Sequence, residues 1–167
     1  MYFAYIGCGP FPTLWACGAM NTQKLNLFKE LFSSYTNISI LHIDNSLGLV
    51  DLALEEIKNE NEGNIKYIPF VDESSAKLKA TAREFEYIVL GNILSHCSEL
   101  EMILKLMYKA LENSGNIIIL EKISNDNKYE LLELLENVGF QAPNCIELFD
   151  DTYIFTAKKM HHWDNGL

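Results

Sequence analysis

The chain has 167 residues, 49% of them hydrophobic, and a formal net charge of −10 with Arg83 as its only arginine. That length suits one domain with a substantial core, and the acidic balance excludes a protein whose main partner is a nucleic-acid backbone, which needs clustered Lys and Arg. No apolar run is long enough to cross a bilayer and no signal peptide opens the chain, so neither a membrane role nor export is expected. Cys8, Cys17, Cys97 and Cys145 are scattered without a C-x-x-C pair, which points to a reducing cytoplasm rather than a disulfide framework or a thiolate zinc site.

Residues 2–7 form an apolar run of strand length, broken by Gly7-Cys8-Gly9-Pro10. Residues 12–35 have the pattern of a helix with a weak point at 18–23. "ISILHI" at 38–43 predicts a second strand ending at Asp44, and Leu47, Val50, Leu54 and Ile57 then share a helical face. "IKYIPFVD" at 65–72 predicts a third strand, which Pro69 suits to an edge or a strand end. Glu55, Glu56, Glu60 and Glu62 read as a solvated helix end.

Residues 76–84 predict a short polar helix. "FEYIVLGN" at 85–92 is apolar on both faces and predicts a central parallel strand. Ser98 with Glu101 has the spacing of a capping box, ahead of a stripe of Leu100, Ile103, Leu104, Met107 and Leu111. Asn113-Ser114-Gly115 should stop that helix. "NIIILEKI" at 116–123 predicts a fifth strand, and residues 126–138 a helix closed by Gly139. "CIELF" and "TYIFTAKK" flank Asp150-Asp151 and predict a hairpin whose last strand runs antiparallel to its neighbour.

The alternation predicts an α/β fold, a doubly wound and mostly parallel sheet of about seven strands with a C-terminal antiparallel hairpin. Residues 1–158 would form a single Rossmann-like domain and 159–167 a tail. In such a sheet, ligands sit beyond the carboxyl ends of the strands at the point where strand order reverses. The glycines at 7 and 9 let a backbone approach a ligand closely, and a following helix N-terminus offers free N–H groups. Asp44 closes the second strand, where an acid can accept both hydroxyls of a ribose; Asp44 or Asn45 at that place is equally suited to capping the next helix.

The stretch "FEYIVLGNILSHCSELEMILKLMYKALENSGNIIILE", residues 85–121, resembles the fourth- and fifth-strand region of class I S-adenosylmethionine-dependent methyltransferases. The terminal hairpin is also similar to that family's. The resemblance implies that Gly7, Cys8 and Gly9 face the methionine part of the cofactor, that Asp44 with Asn45 adjoins the ribose, and that Asp72 lies near the adenine amino group. It also implies that Asn92 faces cofactor or substrate, and that His96 stands where many members carry a histidine. His96 is the candidate base; Ser95 and Cys97 flank it, with no Asp at a telling position to complete a triad.

Tyr5 and Phe11 depart from the family pattern, standing where an acid and a third glycine are usual. "YIGCGPFP" is instead similar to the turn of nicotianamine synthase-type enzymes, which transfer an aminopropyl group from the same cofactor. Met1 stands almost at the first strand, where family members usually carry preceding helices, so the N-terminal part expected of the family is missing here. That implies an open face covered by a second copy, hence a homodimer, or one that a missing segment normally fills, or a non-catalytic module acting in protein assembly. The leading expectation is a methyltransferase acting on a small molecule. His161 and His162 are adjacent and diverge on any regular element, so no metal is expected there.

Overall fold

The computed structural model describes residues 39–44, 64–77, 82–149 and 151–160, together with Asn26, Glu30, Leu31 and Leu54. The Gly7-Cys8-Gly9 turn, Asn45, most of the expected helices at 12–35 and 47–57, the glutamates from Glu55 to Glu62 and the His161-His162 tail lie outside the described residues.

The elements in chain order are β1 (Ser39–Asp44), β2 (Asn64–Pro69), α1 (Glu73–Ala76), β3 (Phe85–Gly91), α2 (Leu100–Ala110), β4 (Leu111–Lys122), α3 (Lys128–Val138), β5 (Gln141–Phe149) and β6 (Thr152–Lys158). A single 3₁₀ turn, Leu94–His96, joins β3 to α2. Among the described residues there are six strands in one sheet, in the order β2-β1-β3-β4-β6-β5. β2, β1, β3 and β4 pair in parallel, whereas β6 runs antiparallel to both β4 and β5. The expected mixed sheet with a closing hairpin is present; the expected strand at 2–7 lies outside the described residues.

The strand sequences account for the layering. In β3 and β4 alternate residues face opposite sides of the sheet, and both sides are apolar. Leu41, Ile43, Ile88, Leu90, Ile117 and Ile119 share one cluster with Ile103, Leu104 and Met107 of α2 and Leu131 and Leu135 of α3. Ile40, Tyr87, Val89, Ile118, Leu120 and Ile154 form a second cluster on the other face with Leu54, and Leu31 packs against it. β3 is central, with parallel neighbours on both sides, as its apolar run predicts. β2 is the outermost strand beyond β1, and Pro69 is its last residue, where the missing N–H disrupts little.

Three boundaries differ from the sequence pattern. In place of the helix expected at 76–84 there is the four-residue α1, Glu73–Ala76, opened by a reciprocal capping box of Asp72 and Ser75 and closed at Lys77, and residues 82–84 are not helical. Arg83, with φ of 60°, then turns the chain into β3. The helix expected to stop at Asn113-Ser114-Gly115 ends at Ala110, and Leu111 already pairs with Phe85. The stop comes from across the fold: the Lys159 ammonium donates to the carbonyls of Tyr108 and Leu111, each at 2.7 Å. Lys159, assigned by sequence to the tail, is thereby buried, and that burial pushes its pKa down. Gly115 has a different role from a helix stop, since a Cβ there would stand 2.9 Å from the Glu86 carbonyl oxygen. Gly139, with φ of 112°, closes α3 as predicted.

Candidate functional site

In the sheet order β2-β1-β3-β4, the chain runs outward from β1 to β2 and then returns to the other side of β1 to form β3. The reversal therefore falls between β1 and β3, and the crevice beyond their carboxyl ends is where an open α/β sheet takes a ligand. These two strands are direct hydrogen-bonded neighbours, with Ile40 opposite Tyr87 and Asp44 opposite Gly91. On its other side Asp44 is in register with Pro69. Asp44 thus ends β1, Asp72 caps the helix after β2, and Asn92 and His96 follow β3, so all four positions come after the carboxyl ends of adjacent strands. Gly7, Cys8, Gly9 and Asn45 lie outside the described residues.

Asn92 follows Gly91 in the left-handed region, with φ of 49°, a conformation that Asn tolerates better than most residues. Its N–H donates to the Leu120 carbonyl of β4 at 2.6 Å, one residue past the pairing of Gly91 with Leu120. Backbone strain of this kind collects at functional sites, where the surroundings hold it in place. Two residues on, the 3₁₀ turn carries Ser95 and His96 to the surface, and the His96 ring lies 6.2 Å from the ring of Phe70, which follows β2.

Asp72 stands three residues beyond the end of β2 as the N-cap of α1. Its Oδ1 accepts the Ser74 N–H at 2.9 Å and the Ser74 hydroxyl. The Ser74 hydroxyl bond is the chief cause holding the exposed Asp72 carboxyl below the usual range. Asp72 is thus a helix cap for α1, and the cap weighed for Asp44 or Asn45 concerns a helix outside the described residues.

Glu73 replaces the expected capping box of α2. Ser98 does not bond Glu101; its hydroxyl donates to Glu73 Oε2 at 2.7 Å, and the Glu99 N–H donates to Glu73 Oε1 at 2.9 Å. Glu101 instead pairs with Lys105 one turn on. A carboxylate suits this place because the first N–H groups of α2 lack partners and carry partial positive charge. The Ser98 hydroxyl, then the Glu99 N–H, hold the Glu73 carboxyl below the ordinary glutamate range. A depressed folded pKa gives stability that is present above the unfolded value and lost as pH falls through the folded one. Urea midpoints should therefore fall on acidification below the ordinary glutamate range, and Glu73→Gln should flatten that part of the profile. A variant with the wild-type slope there would refute the assignment.

Cys97 is a poor nucleophile. Burial first, then the charges of Glu73 and Glu121, push its thiol up to about 11, and its Sγ donates to the Ile93 carbonyl at 3.2 Å. Sequence reasoning missed Glu121. It ends the run "IIILE" in β4 and looks like an exposed strand end, yet it is completely buried. Its carboxylate accepts the N–H groups of Leu94 and Ser95, each at 3.1 Å. Burial pushes its pKa up, opposed by the bonds from Ser95 and Leu94 and by the charge of His96. The available sequence signal is an acid directly after the apolar run Ile117–Leu120.

No family model matches the chain, and no curated protein matches it. Solved structures do match in fold. A methyltransferase-like protein from Bacillus halodurans superposes with a TM-score of 0.64 at 12% identity, over 82% of this chain and 99% of that one. The 1,6-didemethyltoxoflavin-N1-methyltransferase of Burkholderia thailandensis, with its substrate and S-adenosylhomocysteine bound, gives 0.62 at 14% identity, over 89% and 82%. The fold is that of the class I methyltransferases. An O-methyltransferase-like protein from Nostoc punctiforme shares it with a TM-score of 0.63 at 16% identity, and the chain spans 56% of that protein's length.

The turn that carries Asn92, Ser95 and His96 follows β3, beyond the reversal between β1 and β3. Among the described residues, no group of His, Cys, Asp and Glu is arranged to hold a metal. Nor is any helix among them long and apolar enough to cross a membrane.

Proposed function

We propose that the chain binds S-adenosylmethionine in the crevice between β1 and β3 and catalyses methyl transfer to a small molecule. The observation that carries this reading is the meeting of Asp44 and Gly91-Asn92 at the reversal of a methyltransferase-type sheet. The donor set suits a nucleoside: an acid at the end of β1 serves the ribose hydroxyls, and the left-handed Asn92 brings polar backbone to the crevice. Gly7, Cys8 and Gly9 would adjoin the methionine end, Asn45 would support Asp44, and Asp72 would approach the adenine amino group.

Bound S-adenosylmethionine supplies a sulfonium whose carbon substituents are open to nucleophilic attack. The chain's task is then to place the acceptor in line and, for a protonated acceptor, to take its proton. His96 is exposed on the rim beside Phe70 and is the residue assigned to that proton. The ring of Phe70 offers an apolar wall against which an acceptor can pack.

Titration calorimetry with S-adenosylmethionine and S-adenosylhomocysteine tests the reading. The expected result is micromolar binding of both; absence of heat with either at millimolar ligand would reject it. Product analysis then separates methyl transfer from the aminopropyl transfer suggested by "YIGCGPFP". S-adenosylhomocysteine is the product of the first, and methylthioadenosine that of the second.

A further inference from the structure

Glu121 is a charged side chain at the end of a strand that otherwise buries Ile117, Ile118, Ile119 and Leu120. Removing a carboxylate from water is costly, and an apolar residue of similar volume often serves stability as well or better. The geometry shows what the carboxylate gives in return. Oε2 accepts the Leu94 N–H and Oε1 the Ser95 N–H, at 3.1 Å each, while the adjoining Leu120 carbonyl accepts from Asn92. Three amides of the turn after β3 are therefore held by two consecutive residues of β4. The exposed side of that turn carries His96, whose ring lies against Phe70 with the centroids 6.2 Å apart.

We propose that Glu121 is a positioning residue, a two-oxygen clamp that fixes the 94–95 backbone and thereby sets the His96 imidazole at the rim of the crevice. Its effect on ligand binding rests on the function proposed above; its effect on the turn does not. Among the described residues, the Leu94 and Ser95 N–H groups bind the carboxylate, His96 and the Cys97 thiol are the titratable groups that interact with it, and Tyr153 of β6 is its register partner.

The test is Glu121→Gln in an isotope-labelled chain, since the amide keeps the shape but sets an NH₂ donor against a backbone N–H. Expected are changed amide shifts at Leu94 and Ser95, hydrogen exchange there on the order of tenfold faster, loss of the His96–Phe70 ring NOE, and S-adenosylhomocysteine affinity on the order of tenfold weaker. In the wild type, the Leu94 and Ser95 amide shifts should follow one common midpoint on acidification, a readout that stands even if the variant fails to fold. Separate midpoints, or an unchanged ring NOE in the variant, would overturn the clamp. Altered amides with unaltered S-adenosylhomocysteine affinity would reduce Glu121 to a structural role and also overturn it. If the wild type binds no S-adenosylhomocysteine, the functional reading fails on its own, and the amide and ring signals still decide the clamp.

Discussion

Asp44→Ala should weaken S-adenosylhomocysteine binding by about 1.5–3 kcal/mol, the range for losing hydrogen bonds to a charged group, which is roughly ten- to a hundred-fold in Kd. Asp44 ends β1 with Pro69 on one side and Gly91 on the other, so the position lies at the reversal itself rather than beside it. Calorimetry on the variant and on wild type measures the difference directly. An unchanged Kd would remove Asp44 from the site and leave the acid as a strand-end residue. The melting temperature is the control. A cap or fold defect lowers it, whereas loss of a ligand contact leaves the ligand-free protein's melting temperature where it was.

Phe140→Ala should destabilise the chain by about 3–5 kcal/mol, the usual cost of deleting a buried aromatic ring. Phe140 is 1% exposed, and its ring meets Tyr108 edge-on, with centroids 5.0 Å apart and planes at 86°. It follows Gly139, whose left-handed turn ends α3 and aims the chain back at the sheet. The Phe140 N–H returns to the Leu135 carbonyl at 3.0 Å. The ring therefore joins the end of α3 to α2, and its loss leaves a cavity between two helices and the sheet. Urea unfolding should show a lower midpoint with an unchanged slope. A loss under about 1 kcal/mol would mean that the neighbours collapse into the space.

Some of the site could be read from the sequence because the signals are local. The apolar run at 85–91 announces a central parallel strand, and the place where it ends puts Asn92 at a carboxyl edge. Pro69 announces an edge or a strand end, and Gly139 a helix end. The turn sequence around Asp151 announces a hairpin, and Asp151 has the left-handed φ of 58° such a corner uses. Each of these depends on a side chain's effect on its own backbone or on a periodicity of two or 3.6 residues. Capping went the other way for Ser98: the local pattern with Glu101 was present, and Glu73 from another helix displaced it.

The sequence by itself determined the alternation of strands and helices and the mixed sheet with its antiparallel end. Only the tertiary structure decided that the reversal falls between β1 and β3, that Glu73 caps α2, that Lys159 ends it, and that Glu121 holds the turn bearing His96. The physical reason is range. Those contacts join residues 25 to 51 apart in the chain, and a carboxylate or ammonium carries no mark of which distant amide or carbonyl it will meet. Burial then decides the matter: once the sheet closes over Glu121 and Lys159, each must find partners within the fold.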